Sequence, residues 1–391
     1  MVRSVAGNDS DPNPSVLIAL RLSDRHNLAA EAELREGVKR VALEKASGGE
    51  EPLSSGLLAL YIMSLSASCL DPSNLTDESS SRVDLFETLR EKVAEEIKSI
   101  DALGRPKTNY YQFGLDLLAF CANEVHVPSA AVDRLTGAAL RDNFTHGGRF
   151  SVDTASIAAL ALACLKKRDC ENFSAEAETA LEKLVAQILS HVRVDGTIGN
   201  LYSTGQAIEA LRANQDLVPA GAWDCERSLR KVLEEIPKGS FDRPQAAAQV
   251  VPSLEGQTLL NVNHLKCSSD IDNLPLSPSP STAPAGGMIS VDYTVADRRH
   301  SIHDSVTVEI SSGQVLFKVL EKARAMYPVR FRFEYAMTFW GESITGIRGI
   351  ASNRTAHTYW QFLSGSQPIP RGVGSYIPSD GEHITANYTT W

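Results

Sequence analysis

Apolar residues in the first two-thirds of the chain recur at spacings of three and four, the period of a helix that buries one face. Segments with this period lie at 16–28, 57–65, 111–120, 157–165, 177–188 and 207–211. Beyond residue 287 the pattern changes to strict alternation, as in ISVDYTV and SVTVEI, which is typical of half-buried strands. The chain is therefore predicted to contain a helical region followed by a β region.

The predicted helices are of two kinds. One kind is rich in small and apolar residues and opens with a small polar or capping residue. These helices begin at Pro14, Ser54, Asn109, Val152, Tyr202 and, with a weaker pattern, Pro244. Charged helices that are apolar on one face only, such as DLFETLREKVAEEIKSI, lie between them. A repeat at roughly every 40–55 residues is typical of stacked helical hairpins, and about six of them predict an α/α barrel with about six inner and six outer helices.

The composition changes after Cys267. Residues 268–287 (SSDIDNLPLSPSPSTAPAGG) are rich in Pro and Ser and have no periodicity, which predicts an extended linker. Beyond it, three alternating segments predict strands: ISVDYTV, SVTVEI and VRFRFEYAMTFW. The segment GQVLFKVLEKARAMY, between the second and third, predicts one helix. We therefore expect a multidomain α and β protein: an α/α-barrel domain at 1–267, the linker, and a small β domain with one helix at 288–391.

The charge and the apolar runs exclude two classes of partner. The formal charge is −10 and the pI is near 5.5, so the chain has no basic stripe to displace counterions from nucleic acid. The longest apolar run, at 156–165, has about half the length of a membrane-spanning helix. We expect neither a nucleic-acid partner nor membrane insertion.

The sequons and cysteines favour an oxidising compartment. The first 14 residues have no apolar core typical of a signal peptide. Chance predicts roughly two N-x-[S/T] sequons in a chain of this composition, yet six are present, at Asn8, Asn74, Asn143, Asn172, Asn353 and Asn387. The cysteines also number six and include no C-x-x-C pair, which favours disulfides over metal ligands. We expect a secreted, extracellular glycoprotein with disulfide bonds.

Catalytic motifs are absent from the sequence, including G-x-S-x-G, the P-loop, H-E-x-x-H and the aspartate-rich run of terpene cyclases. Instead, uncharged polar residues gather where the inner helices begin, at the predicted mouth of the barrel. They are Thr108, Tyr111, Asn200, Ser203, Thr204 and Gln249, with the single carboxylate Asp153. Two interpretations remain open: helix capping and barrel closure, or a site that hydrogen-bonds a large neutral ligand rich in amides.

The chain resembles the vertebrate cobalamin carriers, the family of intrinsic factor, transcobalamin and haptocorrin. Among the matching stretches are NYYQFGLDLLAFC, FSVDTASIAALALACL, DGTIGNLYSTGQAIEAL and TYWQFLSG. In order along the chain, the matching ranges are 11–20, 55–73, 109–121, 150–165, 195–211, 247–262, 312–323, 358–365 and 372–389. The resemblance implies a secreted, non-enzymatic carrier that clamps cobalamin between its two domains and delivers it through a cell-surface uptake receptor.

The resemblance also implies a binding site, residue by residue. The positions that match family contacts in the barrel are Thr108, Tyr111, Asp153, Asn200 and Gln249, with weaker matches at Ser15 and Ser54. Ser203 and Phe150 complete the barrel side of the candidate site. In the β domain, Trp360, Gln361, Phe362, Leu363 and Ile369 match the segment that covers the other face of the corrin.

Three departures from the family pattern bear on the site. Phe150 stands where transcobalamin-like members place a cobalt-coordinating His, so we expect no protein ligand to cobalt, although His146 lies on the same loop. Leu57 replaces a family Gln and removes one amide partner. The chain begins roughly one helix into the family pattern, so the barrel is expected to be one helix short.

The cysteines follow the same resemblance. Cys69–Cys267 and Cys121–Cys164 match two family disulfides. Cys170 and Cys225 are expected near the same rim of the barrel, where they either pair or remain free thiols. Two other function classes stay open. One is an α/α-barrel enzyme acting on a glycan or terpenoid, which would need a pair of carboxylates at the mouth, for which Asp116 and Asp153 are the only candidates. The other is a protein-interaction module without a small ligand.

Overall fold

The structure is a computed structural model. It describes residues 12–46, 53–76, 82–146, 149–168, 173–274, 287–297, 299–338, 341–353, 358–369, 372–374 and 376–390. The chain forms two compact units, Met1–Leu276 and Ser277–Trp391. None of the described helices combines the length and the apolarity that crossing a membrane requires.

The first unit is built from helices that alternate between two layers. Those of the inner layer are α1 (Pro14–Arg21), α3 (Ser55–Ala67), α5 (Tyr110–Ala122), α7 (Val152–Lys167), α9 (Ser203–Ala213), α11 (Pro244–Ala248) and α12 (Val251–Leu254). Those of the outer layer are α2 (Leu28–Ala46), α4 (Leu85–Leu103), α6 (Ser129–Leu140), α8 (Ala175–Ser190) and α10 (Cys225–Glu235). Two short strand pairs, β1 (Leu75–Thr76) with β2 (Arg82–Val83) and β3 (Thr145–His146) with β4 (Arg149–Phe150), lie in the connections.

The inner helices close into a ring. Each packs against the next in the order α1, α3, α5, α7, α9 and α12, and α11 and α12 return to α1. The small residues on these helices allow the close packing: α7 buries Ala155, Ala158 and Ala159 completely, and α5 approaches α7 at Gly114. Outer helices bury only one face, as α4 does with Leu85, Leu89 and Val93. The predicted α/α barrel is confirmed, with five outer helices among the described residues.

Two predicted helices differ in extent. The apolar period at 16–28 continues past the end of α1, which stops at Arg21 because a polar turn follows and the Asn27 side chain accepts the Ala30 N–H at the start of α2. The weak sixth inner helix is broken into α11 and α12 near Gln249. Pro252, which lacks an N–H group, stands at the second position of α12 and cannot continue a helix from α11.

The second unit is a β structure around one helix. Strands β5 (Met288–Asp297), β6 (Ile302–Ser311), β10 (Thr358–Ser364), β11 (Gln367–Pro368) and β12 (Glu382–Thr390) form a sheet in the order β11-β10-β12-β5-β6. A second sheet contains β7 (Phe333–Thr338), β8 (Gly341–Ile347) and β9 (Ile350–Ala351). Helix α13 (Leu316–Met326) packs on β5 and β6. Alternate residues of β5, among them Val291, Tyr293 and Val295, form the core with Leu320 of α13.

The predicted linker lies largely outside the described residues, which omit 275–286. Its first residues belong structurally to the barrel unit, and the chain divides after Leu276 rather than at Cys267. The reason is a set of contacts with the helical hairpin formed by α1 and α2. Arg21 forms an ion pair with Asp270, and the Asn27 side chain donates to the Leu274 carbonyl at 2.9 Å.

Two disulfides join distant parts of the barrel unit. Cys69 follows α3 and bonds to Cys267, 198 residues later, and Cys121 near the end of α5 bonds to Cys164 near the end of α7. Both pairings that the family resemblance implies are confirmed. Cys225 is the first residue of α10 and has no disulfide partner among the described cysteines, while Cys170 lies outside the described residues. Their pairing stays a prediction.

Candidate ligand-binding site at the mouth of the barrel

The inner helices begin at one end of the barrel, and their caps show which polar residues serve the fold. Asn13, Asn109 and Ser151 accept backbone N–H groups in the first turns of α1, α5 and α7. Ser15 and Asp153 therefore lie inside their helices, each two residues past the cap. Ser54 stands at the cap of α3 without a side-chain hydrogen bond to the helix. Capping does not account for Asp153, contrary to the first interpretation of the mouth.

The turn before α9 uses the polar side chains that it contains. The Ser203 hydroxyl donates to the Ile198 carbonyl at 2.8 Å, and the Thr204 hydroxyl donates to the Asn200 carbonyl at 2.7 Å. The Asn200 Oδ1 accepts the N–H groups of Tyr202 and Ser203. Ser203 and Thr204 are fully buried, whereas Asn200 is exposed. Capping and barrel closure thus account for Ser203 and Thr204, and only Asn200 offers accessible surface.

Asp153 differs from these residues because part of its carboxylate is unpartnered. Its Oδ1 is buried and has no hydrogen-bond partner among the described residues. Burial raises the pKa of Asp153 to about 6. The Tyr111 phenol nearby accepts a hydrogen bond from the Gln206 side chain at 2.8 Å, and its pKa is raised mainly by burial, with added effects from Asp153 and Glu209. Asp153, Tyr111 and Gln206 thus form a polar group at the mouth, with Glu209 close enough to affect the Tyr111 pKa.

Glu209 lies deeper on α9. It is 2% exposed, and one of its oxygens accepts the Leu259 N–H at 3.0 Å. Burial raises the pKa of Glu209 to about 8. The carboxyl is therefore largely protonated at neutral pH, and it places a neutral group below the mouth.

Gln249 is held against α9 by a close backbone approach. A Cβ atom added to Gly205 would lie 2.1 Å from the Gln249 carbonyl oxygen, so only glycine permits this contact. The Gln249 side chain is 7% exposed, and its Oε1 has no partner among the described residues. The amide is therefore fixed at the mouth with hydrogen-bonding capacity unused.

A second amide lies beside Leu57, where the family pattern has a Gln. The Gln112 side chain packs over Gly56, where an added Cβ would lie 2.6 Å from its Cβ. The Gln112 Oε1 is buried and has no partner in the described part of the chain. Gln112 thus places an amide next to the position at which Leu57 removes one.

Thr108 is half-buried before the cap of α5 and is bound to Glu96 of α4. Its hydroxyl donates to the Glu96 Oε1 at 2.7 Å, and its backbone N–H donates to Oε2 at 3.1 Å. The Ser55 hydroxyl donates to the same carboxylate at 3.1 Å. Thr108 is therefore held firmly at the mouth by a buried acid.

Phe150 ends β4 next to the mouth and stacks on His191. The ring centroids are 4.8 Å apart with an interplanar angle of 28°. The His191 Nδ1 lies 2.9 Å from the Gln187 carbonyl oxygen, which can only accept, so Nδ1 is the donor of this contact. The side chain of His146 lies outside the described residues. Within the described ranges, no group of three or more His, Cys, Asp or Glu side chains is arranged so that it could hold a metal ion.

The candidate residues of the second unit divide between the two faces of the large sheet. Trp360 and Phe362 face the core, and the Trp360 indole donates to the Ile350 carbonyl at 2.8 Å. Gln361 and Leu363 are half-buried on the opposite face, and Ile369 packs partly against the core. Only Gln361, Leu363 and Ile369 therefore keep accessible side-chain surface of any extent.

Four of the six sequons lie within the described residues. Asn74, Asn143 and Asn353 are exposed, whereas Asn387 is half-buried on β12 directly opposite Gln361. Asn8 and Asn172 lie outside the described residues. Because paired residues on a sheet project from one face, a glycan on Asn387 and a ligand contact by the Gln361 side chain would compete for the same space.

Asp116 does not form a carboxylate pair with Asp153. It is fully buried, and the acidic group that acts on it is Glu96 of α4, where burial and the Glu96 charge raise its pKa well above the usual value. An acid inside the wall of the barrel cannot share a substrate with one at the mouth. The described geometry thus gives no support to the glycan or terpenoid enzyme.

Sequence reasoning missed five side chains of this region: Glu96, Gln112, His191, Gln206 and Glu209. Gln206 and Glu209 carry a usable signal, since they are polar residues three apart in an otherwise small and apolar inner helix. Glu96 carries none, because a glutamate on a charged outer helix is indistinguishable from its exposed neighbours in sequence.

Comparisons with known proteins agree with this fold. The family described as eukaryotic cobalamin-binding protein matches residues 1–286, and the chain belongs to this family of binding proteins, which are carriers rather than enzymes. Cobalamin binding intrinsic factor of Mus musculus is 36% identical over 396 residues, covering 98% of this chain and 88% of the relative. Transcobalamin-1 of Homo sapiens is 36% identical over 353 residues, covering 87% and 79%.

A solved structure extends the likeness to the whole chain. The crystal structure of haptocorrin in complex with Cbi has a TM-score of 0.74 and 31% identity, and it covers 100% of this chain and 95% of that one. The resemblance to the cobalamin carriers is therefore confirmed.

Proposed function

We propose that this protein is a secreted carrier that binds cobalamin at the mouth of its barrel. The observation that carries the proposal is the set of buried oxygens without partners, on Asp153, Gln249 and Gln112, which belong to residues in or next to the first turns of inner helices. Buried polar atoms are normally hydrogen-bonded, so several at one accessible end favour a polar ligand. A corrinoid carries many primary amides, which suit these acceptors.

Among the barrel residues that the resemblance implies, the geometry favours five as direct contacts. Thr108 and Asn200 are at least partly exposed at the mouth, Asp153 and Gln249 carry unpartnered oxygens there, and the Tyr111 phenol lies near Asp153 and is bonded to Gln206. Ser15 and Ser54 are partly exposed there and are proposed as weaker contacts. Ser203 is proposed to act through the turn that carries Asn200, since its hydroxyl is bonded to backbone carbonyls.

In the second unit we propose contacts from Leu363, Ile369 and the backbone of the β10–β11 hairpin. Trp360 and Phe362 would support this hairpin from the core side, where both are buried. Gln361 would contribute through its backbone, because its side chain shares a sheet face with the sequon residue Asn387. Variants of Leu363 should weaken cobalamin binding more than variants of Gln361.

The proposal is tested by titrating the full chain with cobalamin and following the visible spectrum of the corrin. We expect tight, slowly dissociating one-to-one binding, because many donors and acceptors engage one large ligand. Gln249→Ala should weaken binding about 5- to 10-fold, the worth of roughly one neutral hydrogen bond. The matched control Gln215→Ala changes an exposed glutamine and should leave binding unchanged. Absence of binding at millimolar cobalamin contradicts the proposal.

The carrier role adds a compartment and a partner. The two disulfides require an oxidising environment, and three described sequons are exposed, which supports secretion and glycosylation. We propose that a cell-surface receptor takes up the loaded protein. Cobalamin-dependent binding of the labelled protein to cultured epithelial cells would test this step, and equal binding with and without ligand would contradict it.

A further inference from the structure

Glu96 is a buried acid that takes no direct part in the mouth yet controls one residue of it. It lies on outer helix α4 and is 2% exposed. Its carboxylate accepts three hydrogen bonds, from the Thr108 hydroxyl, the Thr108 backbone N–H and the Ser55 hydroxyl, at 2.7, 3.1 and 3.1 Å. Both donors of Thr108 are therefore directed away from a ligand.

The direction of these bonds decides what Thr108 offers. A threonine hydroxyl has one proton to donate and two lone pairs to accept. Because the proton is given to Glu96, only the lone pairs remain for a ligand at the mouth. The group that pairs with Thr108 must then be a donor, such as the N–H of a primary carboxamide.

A ligand carboxylate meets two penalties in the same place. It has the shape of a carboxamide but presents an oxygen where the amide has its NH2 group, so it faces the Thr108 oxygen without a proton between them. It also brings a negative charge towards Glu96 and Asp153, in a partly buried region where like charges repel more strongly than in water.

We propose that Glu96 is a positioning residue that fixes Thr108 as an acceptor, and that the mouth thereby selects carboxamide side chains of a corrinoid over carboxylates of the same shape. This inference rests on the proposed cobalamin-binding function. It adds a selection rule to that function: corrinoids with a hydrolysed amide at the Thr108 position are rejected.

The test compares cobalamin with its separated monocarboxylic acids, each with one peripheral amide hydrolysed. We expect the wild-type protein to bind at least one of these acids about 30-fold more weakly than cobalamin, as expected when a site built for a donor meets an acceptor. In Glu96→Gln the new amide can donate to the Thr108 oxygen, and the Thr108 hydroxyl can then donate its own proton to a ligand. The ratio of the affinity for cobalamin to the affinity for that acid should therefore fall below about threefold.

The neighbouring glutamate provides the matched control. Glu95→Gln removes the same charge one residue away, from an exposed side chain that is paired with Lys107 at 2.7 Å. In Glu95→Gln the ratio of the affinity for cobalamin to the affinity for the acid should remain that of the wild type. A general charge effect would instead lower the ratio in both variants and would overturn the assignment to Glu96.

A second variant tests whether Glu96 acts through Thr108. Thr108→Val removes the hydroxyl from a half-buried position and should also lower the ratio. Glu96→Gln should then have no further effect on the ratio in the Thr108→Val background. If Glu96→Gln does not fold, the single Thr108→Val variant decides the question by the same ratio.

The outcomes separate this inference from the function on which it rests. Failure of the wild-type protein to bind cobalamin overturns the proposed function and the inference together. Tight cobalamin binding without discrimination against any acid, or with discrimination unchanged in Glu96→Gln and Thr108→Val, overturns only the role of Glu96.

Discussion

Two aspartates on neighbouring inner helices lie in contrasting regions of the barrel. Asp116 of α5 lies in the wall, fully buried beside Glu96 and Ser55, and neither of its oxygens has a partner among the described residues. Asp153 of α7 lies at the mouth, one turn from the helix start, with one unpartnered oxygen. Both have pKa values raised by burial.

The contrast separates two roles of an unpartnered buried carboxyl: it can only lower stability, or it can also serve as a partner for a ligand. In the wall no ligand can reach Asp116, so its desolvation is only a cost to stability. At the mouth, the ligand that we propose would supply the missing partner of Asp153, so its cost in the free protein would be recovered on binding. Access to a ligand, rather than burial alone, therefore distinguishes a binding carboxyl from one that only destabilises the fold.

The largest expected effect distinguishes a carboxyl that binds the ligand from one that only lowers stability. Asp153→Ala should weaken cobalamin binding about 10- to 100-fold, the worth of a hydrogen bond to a charged acceptor. Asp116→Ala should leave cobalamin affinity unchanged. Both variants should raise the free energy of unfolding by about 1 kcal/mol, because each removes an unpaired buried group and leaves only a small cavity. Spectral titration and urea unfolding measure the two quantities. Equal loss of affinity in both variants would contradict the comparison.

Much of this arrangement can be predicted from the sequence. The small-residue helices follow from their period and composition, and the disulfides Cys69–Cys267 and Cys121–Cys164 follow from the family resemblance. The depth of Asp116 cannot be predicted, because both faces of an inner helix are buried and the period does not show which layer a polar residue meets. Capping by Ser151 rather than Asp153 also depends on the local turn, since two polar residues stand at the same helix start.

In the second unit the same limit applies to strand faces. The alternation of TYWQFLSG places Trp360 and Phe362 on one face and Gln361 and Leu363 on the other, but it does not show which face is covered. That depends on α13 and on the second sheet, which are distant in sequence. The aromatic residues that mark the family segment are therefore core residues of the unit.

The next prediction concerns pH, and it tests whether burial raises the pKa values of Asp153 and Glu209 in the folded protein. Folded Asp153 keeps its proton up to about pH 6, whereas the unfolded chain releases it near its usual pKa of 3.8. The unfolded state therefore binds fewer protons between these values, and stability falls as pH rises through this window, by about 1.4 kcal/mol per unit. Glu209 adds a similar fall between its usual 4.5 and about 8.

Variants separate the two windows in the ligand-free protein. Asp153→Asn should make the fall in unfolding free energy less steep between about pH 4 and 6, and Glu209→Gln should make it less steep between about pH 4.5 and 8, each variant leaving the other contribution in place. Asp133→Asn, at an exposed position on outer helix α6, should leave the profile unchanged. A wild-type stability that rises between pH 4 and 6, with the rise lost in Asp153→Asn, would show that Asp153 has a lowered pKa and a partner.

The smallest expected effect on affinity concerns the apolar side of the mouth, where Phe150 stacks on His191. A phenyl ring has no lone pair for cobalt, so bound aquocobalamin should keep an exchangeable water, and its spectrum should stay close to that of the free vitamin. Phe150→His should shift the spectrum towards a histidine-ligated form and slow displacement by azide or cyanide, since imidazole is a good ligand for transition metals. His191→Phe in the unaltered protein is the control. If the wild-type protein already shows the histidine-ligated spectrum, Phe150 does not exclude coordination; loss of that spectrum in His191→Phe would then identify His191 as the ligand, and its retention would direct the search to His146.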